Sequence, residues 1–366
     1  MKKQTLFLLC ALAFVVFTFK KKNAPDAADE HLYLLVGAYS DGTTAGISVY
    51  DFDTQTGDFD FRSDVKGIIN PSYLAVSSDE QMVYAVNETS EGAVSAFRFD
   101  KDAATLSFLN SQPANGADPC FIAVSPGQAF VATANYSGGS LSVLPLAPDG
   151  RLEPAWQVLT FDAGATHHIH TVRFVGGVGS NVLATDLGAD KIYIFNSRFE
   201  LLKTVDTPPK SGPRHIAFHP EGKFLYVINE LSGTVLAYSH EEGVIAKQIQ
   251  EIASDITPGA GGKGSADIHI SPDGQFLYAS NRLTADGIAI FRIDPANGTL
   301  ARVGEQPTGI HPRNFILTPN GKFLLCANRN SNNIQLFAVN PETGLLQDTG
   351  KVIKMSKPVC LKWIKH

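Results

Sequence analysis

Apolar positions along this chain come in short runs broken by Pro/Gly turns, and the runs recur. "GPRHIAFHPEGKFLYVINE", Gly212 to Glu230, reads as an extended strand, a Pro-x-Gly turn and a second strand that ends on Asn-Glu. "SADIHISPDGQFLYASNR" from Ser265 and "HPRNFILTPNGKFLLCANR" from His311 repeat the outline. Aligned on the turn, further first strands appear as "NPSYLAVS" from Asn70, "DPCFIAVS" from Asp118 and "HHIHTVRF" from His167. The second strands end at Asn87, Asn135, Asp186, Asn229, Asn281 and Asn328, at intervals of 43 to 52 residues. That period, in a chain of short strands, predicts four-stranded propeller blades. "GIAIFRI" followed by "PANGTLARVGEQPTG", and "NIQLFAVNPETGLLQDTGKV", supply third and fourth strands with Asn-Gly or Thr-Gly at the outer hairpin. No stretch beyond the N-terminus sustains a period of 3.6, so the reading is all-β.

The two ends complete the count. "LYLLVGAYSDGTTAGISVYDFDTQTGDFDF" carries a second, third and fourth strand without a first, whereas "KPVCLKWIK", Lys357 to Lys365, is a first strand with nothing after it. Pairing the C-terminal strand with the N-terminal blade makes a seventh blade and leaves no open sheet edge. The predicted fold is a closed seven-bladed β-propeller over residues 31–366.

Composition agrees, with 44% hydrophobic and 18% charged residues in a chain of 366. A net charge of −6 and the lack of a basic cluster in the body argue against a nucleic-acid partner. Residues 1–30 read differently. Lys2 and Lys3 precede the apolar run Leu6 to Phe19, which is short for a span of about 20 residues and fits a signal peptide followed by a linker. The "KKK" after the run keeps an uncleaved anchor as the alternative, and this is the chain's one expected route to a membrane. A functional signal implies a periplasmic or cell-surface protein, and its failure a cytoplasmic one. Cys120, Cys326 and Cys360 are odd in number and lack zinc-ligand spacing, so they are expected to be buried apolar residues.

Because each second strand returns to the face where the first began, entrances and exits share one mouth of the central channel. Ser72, Cys120, His170, Arg214, Ala266 and Arg313 hold equivalent entrance positions. The exit asparagines are expected to be framework, bonding the neighbouring blade's backbone. The departures from the repeat carry the chemistry. His168 and His170 replace a Pro-led entrance, Glu230 stands beside Arg214, and Arg282, Arg313 and Arg329 bring positive charge to an acidic chain. Arginines grip carboxylate or phosphate, while an imidazole and a carboxylate can move protons near neutral pH. The candidate catalytic residues are therefore His168, His170, Arg214, Glu230 and Arg282. Asn135, Tyr136, Asp186, His311, Arg313 and Arg329 are the candidates for substrate binding. Arg214 is expected to face a solvent-filled mouth and to add little to the core. No activated nucleophile motif, phosphate loop or dinucleotide fingerprint is present, and too few acidic residues flank the histidines for a metal.

"ANYSGGSLSVLPL", "HHIH", "TDLGADKIYIF" and the three long repeats quoted above resemble the seven-bladed propeller lactonases. That family includes propeller-type 6-phosphogluconolactonases and the carboxy-cis,cis-muconate lactonizing enzymes. The resemblance runs from about Leu32 to Ile364. It implies a site of one His, two Arg and one Glu, falling here on His168 or His170, Arg214, Arg282 and Glu230, with no metal or organic cofactor. It further implies hydrolysis of a sugar-derived lactone, 6-phosphogluconolactone or a related aldonolactone, by a small-molecule site suited to an anionic substrate. A non-catalytic propeller that binds a ligand or protein at the same mouth is the competing reading.

Overall fold

The computed structural model describes residues 31–257, 263–283 and 285–366. The expected signal or anchor segment, 1–30, lies outside them. The described residues form seven four-stranded antiparallel sheets and contain no helix. Blade 1 joins His31–Ala38 and the two strands after it to the C-terminal strand Pro358–Lys365. Blades 2 to 7 follow over 74–113, 119–160, 169–206, 213–253, 268–307 and 312–354. The ring closes as expected: His31–Ala38 pairs with Pro358–Lys365 from Leu32 opposite Lys365 to Ala38 opposite Pro358.

The first strands of successive blades touch one another all the way round and line the channel. Second strands lie between neighbouring blades and are buried on both faces, which is why Phe224–Asn229 and Phe276–Asn281 are buried throughout. The outermost strands, such as Leu201–Asp206, face solvent. Three second-strand tyrosines staple their blade to the next one: Tyr84, Tyr226 and Tyr278 donate to the carbonyls of Gly150, Gly298 and Gly344 at 3.0, 2.9 and 2.9 Å. Glycine is required at such a hairpin. Gly298 has φ 76°, and a Cβ there would sit 2.5 Å from the Phe224 ring.

The exit asparagines are framework, but in a different way from the one expected. Asn135, Asn229 and Asn328 donate to Ser140 and Ser142, to Thr234, and to Asn333 and Gln335, all in their own blade. Only Asn87 and Asn281 bond backbone arriving from the preceding blade, at Ile69 O and Ser254 O. The tight hairpin brings the third strand nearer to the exit side chain than the neighbouring sheet.

Just beneath the mouth the channel has a floor. Tyr73 stacks on Phe121 at 4.1 Å between ring centroids and meets His215, three blades further round, at 6.0 Å. On the other side, Asp267 accepts from His215 Nδ1 at 2.7 Å and from the side chain of Asn314. Asn314 in turn accepts from Leu361 N at 2.7 Å, so the floor ties the blades to the closing strand.

Candidate active site

Two rings of residues build the mouth, and the backbone sets both. At each Pro-led entrance the residue before proline has positive φ: Asn70, Asp118, Gly212, His311 and Lys357. The residue after that proline is then the extra member of a β-bulge in four of these blades, because Pro213 pairs with Asn229 while His215 pairs with Ile228. The same slip frees Cys120, Arg313 and Val359, and it frees His170 in blade 4, whose entrance has no proline. A bulge re-aims one side chain without disturbing the rest of the strand. The second ring is one residue beyond each exit: Tyr39, Glu88, Tyr136, Leu187, Glu230, Arg282 and Arg329. Each donates its N–H to the carbonyl of an entrance residue, as in Glu230 to Gly212 O at 2.7 Å and Arg282 to Gly264 O at 3.2 Å.

Arg214, Glu230 and Arg282 converge. Arg214 Nε lies 2.7 Å and Arg282 Nη2 3.1 Å from the same oxygen, Glu230 Oε2. The Arg214 Nε–H is turned off the line of that contact. Glu230 Oε1 takes no hydrogen bond among the described residues. Burial would raise the Glu230 carboxyl, but the guanidiniums of Arg282, Arg214 and Arg313 outweigh it and hold the group below its usual range. Arg214 is fixed further by donating to Ala266 O at 2.6 Å and by His215 Nε2 at 3.3 Å. Arg282 donates to Gly264 O at 2.7 Å and sits 3.3 Å from His311 Nε2. Burial, with Arg214 next, brings its pKa down to about 9, so it keeps its charge at neutral pH.

The histidines here are neutral. Burial and nearby arginines push His215 and His311 down to about 3 and His170 well below 6.5, and His170 Nδ1 is buried with no hydrogen-bond partner. Their folded pKa values lie below the unfolded one, so the stability they contribute is complete above about pH 6.5 and is lost as pH falls from there towards 3. The thermal midpoint should therefore drop steadily between about pH 6.5 and 4.5, ahead of most carboxylate titration. A midpoint that stays flat over that interval would contradict neutral buried imidazoles.

The family model described as "Lactonase, 7-bladed beta-propeller" matches residues 33–363. This chain belongs to that family. Its relatives include a 6-phosphogluconolactonase of Formosa agariphila, 39% identical over 86% of this chain and 94% of the relative. Among solved structures, a candidate 6-phosphogluconolactonase of Bacteroides fragilis is 46% identical over 93% of this chain and 100% of that one, with TM-score 0.86. The periplasmic gluconolactonase of Pseudomonas aeruginosa is 32% identical over 91% and 99%, with TM-score 0.84.

In this lactonase-family mouth, His170, Arg214, Glu230, Arg282, His311 and Arg313 come together. His168 and Tyr136 lie beside them, stacked at 4.4 Å, with His168 Nδ1 2.9 Å from Tyr136 O. Asn135 and Asp186 are not at the mouth. Both are fully buried, and Asp186 is taken up by His167 Nδ1 at 2.5 Å and the amides of His168, Gly188 and Ala189. Asn135 and Asp186 point back into their own hairpins, and in their blades the next residue stands at the channel. Arg214 also departs from expectation: at 1% exposure it is one of the largest fully buried side chains. The alignment missed Tyr39, because blade 1 has no first strand in sequence. "GAYS" nevertheless matches "ANYS" of blade 3. Cys120, Cys326 and Cys360 are buried and free.

Proposed function

We propose that this protein hydrolyses a sugar-derived lactone, 6-phosphogluconolactone or its unphosphorylated counterpart, at the channel mouth. One observation carries the reading: a carboxylate is clamped through a single oxygen by two buried guanidiniums, with its other oxygen left for water. Glu230 Oε1 takes a proton as water oxygen bonds to the lactone carbonyl carbon. Arg214 and Arg282 stabilise the oxyanion that develops. Collapse of the tetrahedral intermediate breaks the ring C–O bond, and the proton passes from Glu230 to the departing ring oxygen. Neutral His170 can donate or accept a hydrogen bond without adding charge. Arg313 and Arg329 suit an anionic group on the substrate.

The names of the relatives bracket the substrate, one phosphorylated and one not. Residues 1–30 favour export to the periplasm or cell surface, and with it the unphosphorylated lactone, since sugar phosphates are cytoplasmic compounds. Turnover of the mature chain on both lactones tests the choice. Glu230→Gln should remove nearly all activity on the better one, counted per folded molecule, and should also lower the thermal midpoint, because it takes the counter-charge from two buried guanidiniums. In the parent, the acid limb of kcat/KM should fall below the ordinary glutamate value of 4.5, because the base stays ionised there. Parental turnover by Glu230→Gln would move the general base elsewhere.

A further inference from the structure

The mouth has a second half, built by Tyr39, Glu88, Arg313 and Arg329, that the clamp around Glu230 does not use. Glu88 follows the exit of blade 2 and is pinned by its N–H to Asn70 O at 3.0 Å, while Asn70 Nδ2 donates to Glu88 O, also at 3.0 Å. Its carboxylate is satisfied on one side only. Tyr39 donates to Oε1 at 2.8 Å, and burial raises the phenol to about 12, so Tyr39 remains a donor at any working pH. Oε2 is buried without a hydrogen-bond partner among the described residues, and Arg313 Nη2 stands off at 3.9 Å, beyond bonding reach. Arg329 lies 4.8 Å and Arg313 5.6 Å from the Tyr39 ring centre, and Arg329 Nε is likewise without a partner. Arg313 links the halves, because both Glu88 and Glu230 act on its charge.

A buried carboxylate oxygen without a donor is costly, and a site that keeps one is complementary to a ligand that supplies the donor. A carbonyl, phosphate or carboxylate cannot do so. A hydroxyl can, and its own oxygen can accept in turn from Arg313. We propose that Glu88, held by Tyr39 and flanked by Arg313, is the specificity-determining residue that recognises a hydroxyl of the lactone, so that the enzyme selects polyhydroxylated lactones over unsubstituted ones. This rests on the lactonase reading above and adds to it the residue that recognises the substrate's hydroxyl. Rejection of the analogue arises because a lactone lacking the hydroxyl leaves Oε2 buried and unpaired.

The test compares D-glucono-1,5-lactone with δ-valerolactone, which has the same ring and no hydroxyls. The parent should prefer the sugar lactone in kcat/KM. Glu88→Gln keeps the shape but can present an amide nitrogen where the acceptor was, and it should shrink that preference by about 10- to 100-fold, chiefly through the sugar lactone. Tyr39→Phe, which lets the carboxylate swing, should shrink it in the same direction. A Glu88→Gln enzyme with normal thermal unfolding and an unchanged preference overturns the proposal. So does one that loses activity on both lactones in equal proportion, since that describes a structural or catalytic acid. If the parent hydrolyses neither of these lactones nor 6-phosphogluconolactone, the lactonase reading fails, and calorimetry with gluconate then decides on Glu88: binding weakened about 10-fold or more by Glu88→Gln supports hydroxyl recognition, and equal binding, or no binding by the parent, refutes it.

Discussion

Arg214→Ala is expected to lose both turnover and stability, with about a 100- to 1000-fold fall in kcat, the usual cost of removing a donor that faces a developing oxyanion. The stability loss follows from burial. Arg214 is 1% exposed, and its guanidinium touches Glu230 Oε2 through Nε and both Ala266 O and His215 Nε2 through Nη1. Truncation leaves a buried carbonyl without its donor and a carboxylate with one guanidinium in place of two. Breaking a buried pair in this way typically costs about 3 to 5 kcal/mol. Arg214→Lys should fold better and still turn over slowly, because a single ammonium cannot span the carboxylate and the carbonyl together. Turnover per folded molecule and the thermal midpoint, measured on both variants, separate the two effects. If Arg214→Ala keeps the parental rate at full occupancy of the folded state, the arginine is only a strut.

Deleting residues after Lys357 is expected to abolish the native fold. The closing strand buries Val359, Cys360, Leu361 and Ile364, each at most 2% exposed. At about 2 kcal/mol for each such side chain, their loss alone removes about 8 kcal/mol. That is comparable with the whole stability of a typical domain, about 5 to 15 kcal/mol. The deletion also strips the backbone partner from His31–Ala38, so exposing the edge of blade 1, and removes the amide that holds Asn314. A truncated chain with the parental unfolding transition by calorimetry or circular dichroism would contradict closure by this strand.

Blade count, strand order and ring closure were legible in the sequence because they depend on period and on turn chemistry. Pro, Gly and Asn fix where the chain reverses, whatever the surrounding packing. The mouth was legible only in part, for a geometric reason. Strand alternation assigns a side chain to one face or the other, but the bulges at Cys120, His170, Arg214 and Arg313 break alternation where the chemistry lies. Asp186 and Asn135 looked like mouth residues by position, yet their side chains turn back to close their own hairpins. Glu88 stands one residue beyond the exit Asn87, a place that the repeat marks. Nothing in its neighbours showed that one of its oxygens would be left without a donor, since that depends on Tyr39 and Arg313 arriving from blades 1 and 7.

The rings of Tyr73, Phe121 and His215 reach across the channel beneath the mouth, so a substrate held by the mouth arginines arrives and departs on their side. Hydrolysis turns a neutral ester into a carboxylate, so the product carries one more negative charge than the substrate that came in through the same opening. It must then leave past Arg214, Arg282, Arg313 and Arg329. At such a mouth, departure competes directly with arrival, and the cations that favour the reaction also delay the exit of its product.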